Sequence, residues 1–493
     1  MSRSRSTRRQ FLKKSGVAAS AALFSAPLLD FLGVTDDAFA AYVRPNVKTL
    51  TATSQTIVSY KKGIAAMQAL PSTNILNWNA FANIHGIGPQ PPSGSNPLWS
   101  TCQHGSWWFL PWHRMYLWFF ERAIQKYSGD PTFALPFWDY TDPTQRSLPS
   151  MFRTPTTNNP LYIPQRNATI NAGGQLPASA VDTSVAFGFT NFTGPTGTSA
   201  SFGSQMLNAP NHSASPHGRL ESTPHDSVHG VIGGYMGSFG TAARDPIFWL
   251  HHANIDRLWD SWLTKGGGRI DPNNRTWCDQ PFSFPDALST PSGTTVTRRV
   301  NSVINALPQL GYSYAGVPAV PLQKCGPFTG GLPVSVAAID VAAKTVVAAP
   351  KTQELGAAAS SLSIAVPKAA AGRALAAAND PARQLVLRIE GIEVTSPPGV
   401  IYEVYVGLPA GTKADPTLPN YVGNIATFGA DMHPGTFVAA FRIDAPAQRV
   451  LTAAGGNIDV TFVPRGPLDA EGRDVPVQLT GKVTFKSVRL MEE

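Results

Sequence analysis

Residues 104–121 read HGSWWFLPWHRMYLWFFE, the most apolar stretch of the chain, and two imidazoles sit inside it. A buried histidine loses its hydration, so a core either avoids it or satisfies it with a hydrogen bond. A bound metal is the other way. Pro111 can open a helix here, with Trp112, Met115, Tyr116, Phe119 and Phe120 packed around it and His113 in its first turn. A single histidine on such a face is more often a satisfied core residue than a ligand, so the remaining histidines decide.

At 493 residues the chain can hold two or three domains, each with a sizeable core. It is 43% hydrophobic and only 14% charged, with 43 Gly and 43 Pro, which describes a folded protein rich in loops. The net charge of +8 does not point to nucleic acid. Residues 1–40 hold six Lys/Arg against three Asp/Glu, and the remainder carries 33 against 28 with no basic patch interleaved with aromatics.

Arg8 and Arg9, then Phe11, Leu12 and Lys13, a weakly apolar run and Ala38-Phe39-Ala40 form a targeting segment that resembles a twin-arginine signal cleaved after Ala40. Such a signal implies the export machinery as a partner, transport of an already folded protein, and a periplasmic or secreted location. No other stretch is long and apolar enough to span a bilayer, so no membrane anchor is expected. Of three cysteines, Cys278 and Cys325 are the expected disulfide pair of an exported chain, leaving Cys102 two residues before His104.

From Ala41 to about Cys325 the chain is rich in Trp and His, and helical stretches alternate with long Gly/Pro/Asn loops. Residues 331–384 turn to Ala, Val, Ser and Lys and read as a linker. After 385 the phrases QLVLRIEGIEV, VIYEVYVGL, FVAAFRIDA, IDVTFVPRG and VQLTGKVTFKSVRL alternate with period two. They predict an antiparallel β-sandwich-like domain behind a mainly α one. The expected divisions are 1–40 signal, 41–330 helical domain, 331–384 linker and 385–493 β domain.

In ESTPHDSVHG, His225 and His229 are four apart and share a face if the segment is helical. In RDPIFWLHHANIDRLWDSW, His251 and His252 point about 100° apart, so one of them normally faces a given site. Asp256 can orient an imidazole, and an arginine salt bridge explains it equally well. With His85 in NIHGIG, the candidates form two triplets: His85, His104 and His113, then His225, His229 and His252. Imidazole-only sets suit copper, zinc, iron or nickel, and two triplets on facing helices point to a pair of copper ions with O2 as co-substrate.

His104, Phe109, Trp112, His113, Arg114, Leu117 and Glu121 together resemble the first copper signature of tyrosinases, catechol oxidases and molluscan haemocyanins. Asp245, Pro246, Phe248, Trp249, His252 and Asp256 resemble the second, and the likeness spans about residues 41–325. It implies two copper ions, the first on His85, His104 and His113 and the second on His225, His229 and His252, with His251 a non-ligand neighbour. It also implies a Cys102–His104 thioether, as in fungal and molluscan members; a buried free thiol is the alternative. Glu221 resembles the glutamate that holds a water and helps deprotonate phenols, although an acid at a helix N-terminus would look the same. Phe239 resembles a gate residue over the first copper, and Arg44 with Tyr312-Ser313-Tyr314 resembles the motif that closes this domain. Asp226 stands where strong monophenol hydroxylases carry asparagine.

The implied activity is oxidation of o-diphenols to o-quinones with O2, together with hydroxylation of monophenols. The alternatives are a haemocyanin-like oxygen carrier and a specialised o-aminophenol or catechol oxidase lacking monophenolase activity. Small phenols are the expected substrates. The β domain either covers the site and restrains it or serves stability or assembly.

Overall fold

Two long helices form the centre of the first unit, and the rest of it wraps them. In chain order come strand β1 (Tyr42–Arg44), helices α1 (Gln55–Gln68), α2 (Trp78–Ala82), α3 (Phe109–Ser128), α4 (Ser227–Ile232) and α5 (Pro246–Leu263), the hairpin β2 (Pro281–Asp286) and β3 (Thr294–Arg299), and β4 (Tyr312–Tyr314), which pairs in parallel with β1. The computed structural model describes residues 41–88, 94–328, 344–380, 383–432, 435–452 and 456–493. The expected export signal at 1–40 lies outside the described residues, and among these no helix is long and apolar enough to cross a membrane.

α3 begins at Phe109, so Pro111 takes the third helical position, where its missing N–H has no intrahelical partner to lose. Gly129 ends the helix at φ +73°, a left-handed cap that glycine adopts without strain. Asp245 caps α5 by accepting the Ile247 N–H, and Pro246 occupies the first position. The Cys278–Cys325 disulfide forms as expected.

A buried charge network clamps the helices together. Arg114 donates Nε to Asp256 at 2.6 Å and Nη2 to Asp260 at 2.6 Å, and Nη1 reaches the Val303 and Ile304 carbonyls. Tyr312 and Tyr314 donate their hydroxyls to the other Asp256 oxygen, while Arg44 bonds Glu121 and Tyr314. Asp256 therefore serves this arginine network, and none of its hydrogen bonds goes to an imidazole.

The second unit is two four-stranded antiparallel sheets. Its elements are β5 (Lys344–Leu355), β6 (Ser360–Val366), α6 (Lys368–Asn379), β7 (Leu385–Val394), β8 (Ile401–Val406), β9 (Tyr421–Ile425), β10 (Phe437–Arg442), α7 (Asp444–Val450), β11 (Gly456–Arg465) and β12 (Val483–Glu492). One sheet runs β10-β7-β12-β5 and the other β6-β11-β8-β9, and Leu387, Ile389, Val488 and Leu490 share a core with Val404, Val460 and Phe462.

The linker expected over 331–384 needs correcting. Residues 344–379 are not a connector but β5, β6 and α6, so the β unit takes its first strands from before 385. Leu362, Ile364 and Val366 alternate with exposed small residues along β6, and Ala370, Ala371, Ala374, Ala377 and Ala378 make a buried helix face. Side chains this small supply little apolar contrast, which hides the pattern, while alanine's helix propensity and low volume allow close packing.

Replacing Arg114 by Met leaves Asp256 and Asp260 buried without their cation, a change worth about 3–5 kcal/mol. Chemical unfolding of copper-free protein is expected to register that loss.

Candidate metal centre

Six expected histidines meet in one buried place. His85 follows α2, His104 lies in the loop before α3, His113 is on α3, His225 ends the irregular turn Glu221–Asp226, His229 is on α4 and His252 is on α5. His85, His104 and His113 have ring centroids 5.2, 5.7 and 5.0 Å apart. His225, His229 and His252 lie 4.6, 4.9 and 5.6 Å apart, and His113 stacks on His252 at 4.4 Å to join the groups.

Four of the rings hold Nδ1 on a fixed oxygen acceptor. His85 donates to the Phe239 carbonyl at 3.1 Å, His113 to the Phe109 carbonyl at 2.8 Å, His229 to the Met236 carbonyl at 2.7 Å and His225 to Asp226 Oδ1 at 2.8 Å. That tautomer leaves Nε2 as a bare lone pair. Nε2 of His85, His104, His113 and His225 is buried with no hydrogen-bond partner. Each such group costs about 1–3 kcal/mol, so convergent orphan nitrogens fit a metal site. Burial holds the rings' pKa values low, to about 3 for His113, so they are neutral and ready to bind a cation. His251 also comes close: a nitrogen of its ring lies within 4.8 Å of one from each of His225, His229 and His252, and both its ring nitrogens lack partners.

Around the rings, Glu221 accepts the Gly105 N–H with both oxygens, at 2.9 and 3.0 Å, and burial pushes its pKa up to about 8. It is thus a carboxylate fixed beside the His104 loop, and its own helix end is not what it caps. Phe239 stands 4.2 Å from the His104 ring. Cys102 Sγ lies 3.3 Å from His104 Nδ1 and 3.1 Å from His212 Nδ1.

Three residues here escape sequence reading. Phe428, from the loop after β9 in the second unit, stacks on His229 at 3.8 Å and 10° and meets Phe239 edge-on at 4.4 Å. His212 flanks Cys102. His217 donates Nδ1–H to Asp226 Oδ2 at 2.6 Å; burial alone would lower its pKa, but Asp226 and then Glu221 raise it to about 9. NIATFGADM carries no period that marks Phe428, and SPHG no spacing that marks His217.

The family description "Common central domain of tyrosinase" matches residues 75–265, which include all six histidines. A tyrosinase of Hahella sp. (strain CCB-MM4) is 32% identical over 438 residues, covering 79% of this chain and 85% of that protein. The chain belongs to the tyrosinase family. Tyrosinases are dicopper oxidoreductases, so this chain is an oxidoreductase that works with two copper ions, and the imidazole cluster has the right donors for them. This sets aside a pure oxygen carrier. The latent polyphenol oxidase of Prunus armeniaca is 32% identical over 290 residues, and the chain spans about half the length of such plant tyrosinase relatives, 47% in this case. Latent apple tyrosinase shares the fold, with a TM-score of 0.60 at 23% identity over 92% of this chain and 97% of that one.

Gly105 has φ +61°, and a Cβ there would run into the Ala214 carbonyl. Gly105→Ala is expected to displace His104 and reduce copper retained after dialysis by tenfold or more, a difference of about 1.4 kcal/mol.

Proposed function

We propose that the protein is a phenol oxidase that uses O2 to oxidise o-diphenols to o-quinones and also hydroxylates monophenols. His85, His104 and His113 would hold one copper and His225, His229 and His252 the other. The observation that carries this is the convergence of six buried imidazoles, of which His85, His113 and His225 have Nδ1 tied down while Nε2 lacks a partner, and His229 and His252 turn their Nε2 atoms to within 3.4 Å of each other. Bound copper would supply the redox chemistry with O2. The chain's own groups bind and orient the phenol and move its proton.

Phe239 over His104 would hold the ring of a phenol by stacking. Glu221, anchored by Gly105, would take the phenolic proton on a carboxylate oxygen, directly or through a water. Asp226 would keep His225 in its binding tautomer. The aromatic wall of Phe109, Phe239 and Phe248 would exclude bulk water from the reacting ring. Cys102 would form a thioether to His104, breaking S–H and ring C–H and giving two hydrogens to O2; a peptide lighter by two hydrogens is its signature. Folding and metal loading before transport suit a twin-arginine route to the periplasm or beyond, and Lys in place of Arg8 and Arg9 should retain the protein inside the cell.

The β unit, residues 344–493, is proposed to restrain this activity. Phe428 fills the space over His229 where an aromatic substrate would lie, and polar contacts hold the cover: Ser238 to Asp431 at 2.7 Å, Asn424 to the Ser179 carbonyl at 2.7 Å and Arg219 to the Ala440 carbonyl at 2.8 Å.

Copper-loaded protein assayed on a matched monophenol, o-diphenol and o-aminophenol set is expected to turn over the first two; quinone from the diphenol alone would mark a catechol oxidase, and preference for the aminophenol a specialised one. Phe428→Ala, or cleavage within 329–343, is expected to raise kcat/KM for the diphenol by about tenfold, a change of 1.4 kcal/mol. Unchanged rates would make the β unit a stability domain.

A further inference from the structure

Besides His251, two further histidines flank the centre, His212 and His217, and His217 stands in line with it. His217 is buried, and its Nδ1–H donates to Asp226 Oδ2 at 2.6 Å, while the other Asp226 oxygen, Oδ1, accepts from His225 Nδ1 at 2.8 Å. Both carboxylate oxygens are thus engaged by imidazole donors. A carboxylate on the residue next to His225 can turn about its side-chain bonds, and a single partner would leave that rotation open. Two donors at opposite oxygens close it.

His217 is itself held from two sides. Glu221 Oε1 lies 3.8 Å from the same Nδ1, and the Phe437 ring on β10 meets the imidazole edge-on at 5.3 Å. Its Nε2 is buried and meets no side-chain partner, so the Asp226 bond is the ring's one close side-chain hydrogen bond. The chain of contacts runs His217 to Asp226 to His225, a carboxylate between two rings of which one faces the metal centre.

We propose that His217 is a positioning residue for the second copper, fixing through Asp226 the ring plane and tautomer of His225. The proposal rests on the reading of His225 as a ligand. Partners behind a ligand typically change metal affinity about 10–100-fold when they are removed. A histidine placed to hold the orienting carboxylate, and not the ligand itself, acts one step further out.

The test is copper retention by the full chain. His217→Leu removes the donor at similar bulk, and His217→Asn keeps an N–H near the place of Nδ1. Copper per chain is measured after equilibration with graded concentrations of a copper chelator, and EPR of the oxidised protein reports isolated copper(II), which a coupled pair masks. His217→Leu is expected to lose one copper of two at chelator about 10–100-fold more dilute than the parent needs, with an isolated signal appearing, while His217→Asn holds both. A merely structural role would release both ions together in His217→Leu or show no rescue by Asn, and either result overturns the proposal. If His217→Leu does not fold, Asp226→Asn carries the test: selective loss of one copper supports it, and parent-like retention overturns it. His225→Ala separates the two readings. If it keeps both coppers, the ligand assignment fails; if it loses one while the His217 variants match the parent, the positioning role alone fails.

Discussion

An imidazole that gives Nδ1–H to a fixed acceptor can aim Nε2 in only one direction. The centre depends on that constraint, because the acceptors are mostly backbone carbonyls and so move only if the fold moves. His113 uses Phe109 on its own helix, His229 uses Met236 beyond the end of α4, and His85 uses Phe239 across the cavity. His85 and Phe239 are 154 residues apart, so the close packing of the stretch after α2 against Phe239 and Gly240 decides where the ring points. The rigidity that the buried arginine network gives to α3 and α5 is therefore transmitted to His113 and His252. A softer scaffold would let neutral rings turn toward each other and satisfy themselves.

Apolar packing and the metal centre are one design problem here. Trp112, Phe109, Phe239 and Phe248 surround rings that cannot be hydrated, and this wall keeps the rings neutral. Neutral imidazole is the form that binds a cation, so the water-excluding residues prepare the ligands as well as the substrate space. The same low dielectric makes the two nearby carboxylates, Glu221 and Asp226, expensive unless donors meet them. Gly105 meets one, and His225 and His217 meet the other.

How far the sequence reveals this differs with the kind of contact. His113, His229 and His252 lie on helices whose pattern shows in the sequence, while His104 in the loop before α3 and His225 at the end of an irregular turn stand out through their spacing from those helices. His85 sits in no tight motif, yet it is the third member the first triplet needs. The β strands from Leu385 onward show their period because large residues alternate with polar ones, whereas Ser361, Ser363 and Ala365 in β6 offer too little contrast. Phe428, His212 and His217 are invisible for a different reason. Phe428 and His212 owe their places to contacts across long sequence distances, which leave no period behind, while His217 meets Glu221 and Asp226 four and nine residues on through an irregular turn that follows no helical or strand period. Asp256 illustrates the converse, since its spacing from His252 suggests an orienting role while Arg114 and two tyrosines claim it.

The architecture of the second unit follows from the requirement on Phe428. A single ring can occupy the space over His229 only if the backbone carrying it is already ordered, because fixing each residue of a free loop costs about 1–2 kcal/mol. Here the loop is strung between β9 and β10, and the two sheets bear the ordering cost in their own core. The β unit's contacts with the helical unit are both apolar and polar: Ile401, Ala426, Phe428 and Met432 join the helical core, Ser215 bonds both polar groups of Val438 on the free edge of β10, and Arg219 takes the Ala440 carbonyl. On the proposed restraint, activation would part the β unit from both kinds of contact, while the geometry of the imidazoles is held by bonds within the helical unit.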